Sequence, residues 1–145
     1  MATRRTARQV ALQALYWVES SGDPIEVAVS ELARRENLSQ PLQDFALRIC
    51  RNVLDNCRWF DQLIGRAALN WEISRIGRIE RIVLRIGLAE LFGLEHIPPK
   101  VSINEAIELS RAFSGEKAAK FVNGILDSIA KSEEIIRVKS GKFDR

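Results

Sequence analysis

Between Ser39 and Ala67 the residues Leu42, Phe45, Ala46, Ile49, Val53, Cys57, Phe60, Ile64 and Ala67 recur every three or four positions. That spacing lines one side of a helix and does not fit the two-residue alternation of a half-buried strand. A helix of this length, with Asn56 the one place a break would fall, needs other helices to cover its apolar stripe. The rest of the chain supplies them, because no segment shows strict alternation. A first helix is expected from Arg4 to about Glu19, with Ala7, Val10, Ala11, Ala14 and Val18 on its core side and Gly22 closing it. Asp23, Pro24 and Glu26 form a start signal for a second helix to about Arg35: a capping acid, a proline whose missing N–H costs nothing there, and a glutamate three residues on. After a turn at 70–74, the segment from Arg75 to Phe92 carries Ile79, Ile82, Val83 and Ile86 on one side and Leu84, Leu88 and Leu91 on another. A helix apolar on two sides is the central one. Gly93, Pro98 and Pro99 end it, and Ser102 with Glu105 reads as a capping box for a helix to about Phe113. Ser114 and Gly115 then separate a last helix, Glu116 to about Lys131, with Ala118, Val122, Ile125 and Ile129 as core.

The expectation is therefore an all-α chain of six to seven helices. In 145 residues these form one domain, or two small helical halves sharing a core. The halves are placed at about 4–68 and 75–131, with a charged, frayed tail over 132–145.

Composition removes several classes of function. The chain is 46% hydrophobic and 28% charged, with no apolar run near the roughly 20 residues of a membrane span. The start, MATRRTARQV, lacks the continuous apolar stretch of a secretory signal, so a cytoplasmic protein is expected. Cys50 and Cys57 would stand about 10 Å apart along one helix side, too far for a disulfide, and read as small buried hydrophobes. His96 is the single histidine and precedes Ile97, Pro98 and Pro99. No Cys/His metal cluster can be assembled from this set. No glycine-rich phosphate loop, HExxH, nucleophile elbow or CxxC pair occurs. Glu105 and Glu108 share a helix side, but a cap and a solvated surface account for them. Neither catalysis, a metal nor a cofactor is expected.

Binding chemistry is better represented. The net charge is only +3, yet Arg4, Arg5 and Arg8 all precede the first acidic residue, Glu19. They form either a cationic patch for nucleic acid or a merely solvated helix start. At 100° per residue Arg5, Leu12 and Tyr16 fall within about 40° of one another, opposite Ala7, Ala11 and Val18. That second side is either another packing layer or a protein contact anchored by tyrosine and leucine. Phe121 lies at the edge of the last helix's apolar stripe, with Lys117 and Lys120 nearby. An edge aromatic flanked by lysines can stack on an unpaired base while the amines meet phosphates; it can equally be a core-edge phenylalanine. The rival to RNA binding is a helical protein-interaction adaptor that never touches RNA.

Three segments, RRTARQVALQALY, IERIVLRIGLAEL and PPKVSINEAIELSRAFSGEKAAKFVNGILD, resemble the NusB family in order and spacing over about residues 4–130. The pairing of INEAIEL at 103–109 with KFVNGIL at 120–126 is the most specific part. The resemblance implies two small helical bundles sharing an interface. It implies a transcription antitermination factor that binds boxA-type single-stranded leader RNA together with a small-subunit ribosomal protein, NusE. Such a factor helps load that protein onto RNA polymerase elongation complexes with other Nus factors, for ribosomal RNA transcription. By position, Arg4, Arg5 and Arg8 match the family's RNA-contacting start, and Lys120 and Phe121 match the RNA-facing part of its last helix. Tyr16 and Glu80 match positions facing the ribosomal protein, with Leu12 beside Tyr16. Lys117 stands where the enterobacterial member has an aspartate close to RNA, a change expected to strengthen phosphate attraction at some loss of sequence discrimination. A similar module opens some ribosomal RNA methyltransferases, but 145 residues leave no room for their cofactor-binding domain. A monomer and a homodimer that hides the arginines fit the sequence equally well.

Overall fold

A computed structural model describes residues 2–68 and 76–132. These residues form six helices: α1 (Arg4–Ser21), α2 (Ile25–Arg35), α3 (Gln40–Ala67), α4 (Arg78–Gly93), α5 (Pro99–Ser114) and α6 (Glu116–Ser132). No strand occurs among the described residues. The chain divides into two compact units, Met1–Asp55 and Asn56–Arg145. The division falls within α3, so the sequence-based halves, which kept that helix whole, are drawn differently here. The helix itself runs unbroken past Asn56.

In the first unit, α1 starts on a capping box. Thr3 Oγ1 accepts from the Thr6 N–H at 3.4 Å and Thr6 Oγ1 accepts from the Thr3 N–H at 3.2 Å. This satisfies two backbone donors that the helix leaves unmet. α1 packs on α2, with Ala7, Val10, Ala11, Ala14 and Leu15 buried on α1, and Ile25, Ala28, Val29 and Leu32 on α2. Small residues on α1 permit close approach. From α3, Phe45, Ala46, Ile49, Cys50 and Val53 are buried, and the Cys50 thiol donates to the Ala11 carbonyl at 3.7 Å. Burial in apolar surroundings pushes that thiol's pKa well up, so it is chemically quiet. Cys57 is half-buried, and both cysteines are free.

The second unit is built round α4, which packs on both α5 and α6. Ile82, Val83, Leu84, Ile86, Leu88, Ala89 and Leu91 are all buried, as the two-sided apolar pattern requires. Gly87 allows the close approach: a Cβ there would stand 2.7 Å from Leu126 Cδ1 of α6 and 3.5 Å from Ala106 Cβ of α5. Arg85 forks onto Asp61 of α3, Nε at 2.9 Å and Nη2 at 2.8 Å, a bidentate pair that fixes both planes. Phe60 is fully buried beside Phe92, their centroids 6.3 Å apart, and Trp59 leans on Phe92 at 4.5 Å.

Three local expectations are corrected. Ser102 is not a cap: it lies inside α5, fully buried, and its hydroxyl donates to the buried Glu90 carboxylate at 3.3 Å. The helix starts earlier because Pro98 and Pro99 take its cap and first position, where proline's preset φ suits the turn. Asp23 does not cap α2; its carboxylate accepts from the Trp17 indole at 2.9 Å, and Pro24 stands at the cap. On α6 the buried alanine of the first turn is Ala119 rather than Ala118. The expected turn at 70–74, the helix start at Arg75 and the tail beyond Ser132 lie outside the described residues.

Candidate nucleic-acid interface

The first candidate surface is the cationic start of α1. Arg4 and Arg5 are exposed. The Arg4 guanidinium carbon lies 5.0 Å from the centre of the Phe45 ring, and that of Arg8 lies 5.2 Å from it. Two cations thus share one aromatic ring, a contact worth about 0.5–2 kcal/mol depending on desolvation. Arg8, however, is only 4% exposed. The expectation that it reaches a phosphate directly is corrected: its guanidinium is covered, and its aliphatic stem forms part of the packing between α1 and α3. The reason was present in the sequence, since on the helical wheel Arg8 falls about 20° from Leu15 and about 40° from Leu12, inside the buried arc. Phe45, the ring that holds it, belongs by its spacing to the apolar stripe of α3.

The second surface is a groove of about 710 Å³ in the second unit. Its apolar lining comes from Ala67, Ile76, Ala118 and Ile125, and its polar groups are Glu80, Ser114, Lys117 and Lys120, with Phe121 alongside. Lys117, Lys120 and Phe121 therefore share one concave surface. Both lysines are exposed and Phe121 is half-buried, so the ring is anchored on one side and presented on the other. Charge bookkeeping at the mouth favours anions. Glu116, at the start of α6, is held by Arg111, whose Nε lies 2.7 Å from Oε2, and Arg111 also pairs with Glu108. The Arg111 hydrogen bond keeps the Glu116 carboxyl below its usual pKa. With that acid occupied, no ion pair within the described residues ties up Lys117 or Lys120. The first turn of α6 also offers unmet backbone N–H groups, which favour negative charge.

The residues assigned to a protein partner are distributed differently. Tyr16 is 42% exposed on α1, as a contact requires. Leu12 is 2% exposed, so it belongs to the packing layer and is withdrawn as a contact. Glu80 lines the same groove as the two lysines and Phe121, an association that sequence spacing could not give because some forty residues separate them. Gly77 and Gly124 also line the groove; a glycine carries no side-chain chemistry that would have singled it out. Among the described residues no group of three or more His, Cys, Asp or Glu could hold a metal, and no helix is long and apolar enough to cross a membrane. His96 is exposed in the link between α4 and α5.

Comparison with known proteins gives a consistent result. The model of the NusB family matches residues 5–131. The chain is 41% identical to the transcription antitermination protein NusB of Myxococcus xanthus over 134 residues, covering 90% of this chain and 96% of that protein. It is similar to a solved structure of T. maritima NusB, with a TM-score of 0.83 and 33% identity over 94% of this chain and 98% of that one. It is also similar to a chain in the crystal structure of antitermination factors NusB and NusE in complex with dsRNA, with a TM-score of 0.79 and 28% identity over 89% of this chain and 96% of that one.

Proposed function

The chain belongs to the NusB family, and from that membership we propose that it is a transcription antitermination factor that binds boxA-type single-stranded leader RNA together with the ribosomal protein NusE. It acts by binding rather than by bond chemistry, bringing that protein to elongating RNA polymerase with other Nus factors during ribosomal RNA transcription. The observation that carries the RNA part is the groove in which two exposed lysines, with no ion-pair partner among the described residues, flank a half-buried phenylalanine.

The mechanism follows from the chemistry of a flexible strand. Its backbone carries one negative charge per nucleotide, and its unpaired bases expose π faces and hydrogen-bonding edges. Lys117 and Lys120 meet phosphates as point charges, while Phe121 offers a stacking platform worth about 1–3 kcal/mol per base. The packing that half-buries Phe121 fixes its plane in advance, so little side-chain entropy is lost on binding. Arg4 and Arg5 offer a further set of exposed cations in the first unit. Arg8 contributes by holding Phe45 and the start of α1 in place. Tyr16 supplies an exposed, semi-rigid aromatic contact for the ribosomal protein.

The test is binding of a labelled boxA-like single-stranded RNA against a scrambled strand, with and without the ribosomal protein, at two salt concentrations. Preferential binding that the partner tightens is expected, with a log-log salt slope of about −0.7 for each phosphate contacted. No RNA binding even with the partner present would leave the helical adaptor as the reading. Tyr16→Ala should weaken association with the ribosomal protein by about tenfold; full retention of that association would remove Tyr16 from the contact.

A further inference from the structure

Gly124 stands at the middle of the 17-residue α6 and is exposed. A glycine inside a helix is unfavourable relative to alanine, because it has more backbone freedom to lose on folding. Other glycines of the chain have a reason within the fold. Gly22 and Gly115 have φ of 74° and 91°, where a side chain would be strained, and a Cβ on Gly87 would stand 2.7 Å from Leu126 Cδ1. Gly124 has neither reason. Its φ is not positive, and a Cβ built on it would meet nothing within 4 Å among the described residues. For folding alone, alanine would serve better at this position.

The groove supplies the reason that packing does not. Gly124 is part of its lining, and on α6 it falls within about 60° of Lys117 and Phe121, so the three form one row. Phe121 lies in the middle of that row, with Lys117 about one turn before it and Gly124 about one turn after. Side chains of a helix lean toward its N-terminus, so each residue covers the turn that precedes its own Cα. A side chain at position 124 would therefore lie back over the turn that carries Lys120 and Phe121. Its absence leaves the helix backbone bare beside the ring. Lys117 and Lys120 are exposed and have no ion-pair partner among the described residues, which makes an anionic strand the complementary occupant. Phe121 and Gly124 are about 4.5 Å apart along the axis, of the same order as the spacing of about 3.4 Å between successive nucleotides of a stacked strand. We infer that Gly124 is a clearance point of the RNA site: a base stacks on Phe121, Lys117 and Lys120 meet phosphates, and the sugar of the adjoining nucleotide lies directly on the bare backbone at Gly124. Such a contact positions the strand and does not read its sequence.

This inference rests on the RNA-binding reading, and its test separates the two. Gly124→Ala in the full-length chain is compared with wild type in three measurements: thermal unfolding, association with the ribosomal protein in the absence of RNA, and titration of the boxA-like strand at saturating ribosomal protein. The unfolding midpoint should rise by about 2–4 °C, the helix-propensity gain of alanine over glycine. RNA affinity should nevertheless fall about tenfold, the effect of forcing one methyl group into a close contact. The log-log salt slope should stay as it is, because no cation is removed. Association with the ribosomal protein should be unchanged. Gly124→Leu, which adds bulk with a good helix former, should lose more RNA affinity than Gly124→Ala. A more stable Gly124→Ala chain with undiminished RNA affinity would overturn the inference and leave RNA binding intact. So would a lowered unfolding midpoint, which would show that the fold itself needs the glycine. Weakened association with the ribosomal protein alone would assign this point of the groove to a protein contact, and a flattened salt slope would mean that a phosphate rather than a sugar had been displaced; either result overturns the inference. Failure of the wild-type chain to bind the strand would overturn the RNA-binding reading and the inference with it.

Discussion

In the first unit the Arg8 guanidinium is covered and lies over the Phe45 ring, whereas in the second the Lys117 and Lys120 amines stand at the rim of a groove. All three cations look alike in the sequence, each a basic residue near the start of a helix. Their surroundings differ because α1 is small-residue-rich and lets its neighbours close over the stem of Arg8, while Lys117 and Lys120 lie on the exposed side of α6. A cation's place on the buried arc, not its proximity to other cations, decides whether it is available to a ligand.

The largest effect expected from this contrast is on stability. Arg8→Ala should cost about 2–3 kcal/mol, through lost packing of the stem and an emptied site over Phe45. Arg5→Ala should cost less than about 0.5 kcal/mol, as exposed positions do. Urea unfolding of the two variants makes the comparison, and equal midpoints would remove it. It follows that replacing Arg4, Arg5 and Arg8 together is a poor probe of RNA binding, and that Arg4 and Arg5 alone are the informative pair.

Next in size is Phe121→Ala, which should weaken binding of the boxA-like strand by about 1–3 kcal/mol, at a smaller cost in stability because the ring is half-buried. If stability fell and affinity did not, Phe121 would be only the core-edge residue that its spacing also allows. Lys117→Ala and Lys120→Ala should each act almost entirely on affinity. Each should flatten the log-log salt slope by about 0.7, with unfolding midpoints close to wild type. A slope unaffected by either change would mean that phosphates do not sit at this rim.

The smallest effect belongs to Glu116. Its carboxyl is held below the usual pKa first by the Arg111 hydrogen bond and then by that residue's charge. The sign follows directly: a depressed carboxyl contributes stability above its unfolded pKa and loses it as the pH falls through the folded value. Glu116→Gln should therefore flatten the acid limb of the stability profile slightly and leave neutral pH as the region where wild type and variant differ most. The group is fully exposed, so solvent screening keeps the difference small. A larger difference in acid than at neutral pH would contradict the assignment.

Much of this was legible in the sequence for a physical reason. Period 3.6 is a direct imprint of burial on a helix, so α1, α3 and α6 could be read from apolar spacing, and α4 stood out as central because apolar residues lie on two sides of it. Side-chain capping was less legible. Asp23 and Ser102 each have residue types that suit a cap, but each found a stronger tertiary partner in Trp17 and Glu90, and proline took both helix starts. Leu12 failed as an exposed contact because the buried arc of α1 is wider than the stripe first drawn through Ala7, Ala11 and Val18. The grouping of Glu80 with Lys120 and Phe121 is tertiary and had no local signal.

The central claim is that the Lys117, Lys120 and Phe121 groove is where the RNA sits. Zero-length ultraviolet cross-linking of the boxA-like strand to the chain with its ribosomal partner, followed by mass spectrometry of the peptides, tests it most directly. A base stacked on Phe121 should leave its cross-link on a peptide from α6, and Phe121→Ala should abolish it. Efficient cross-links elsewhere on the chain, with none in residues 116–132, would show that the RNA is seated on another surface.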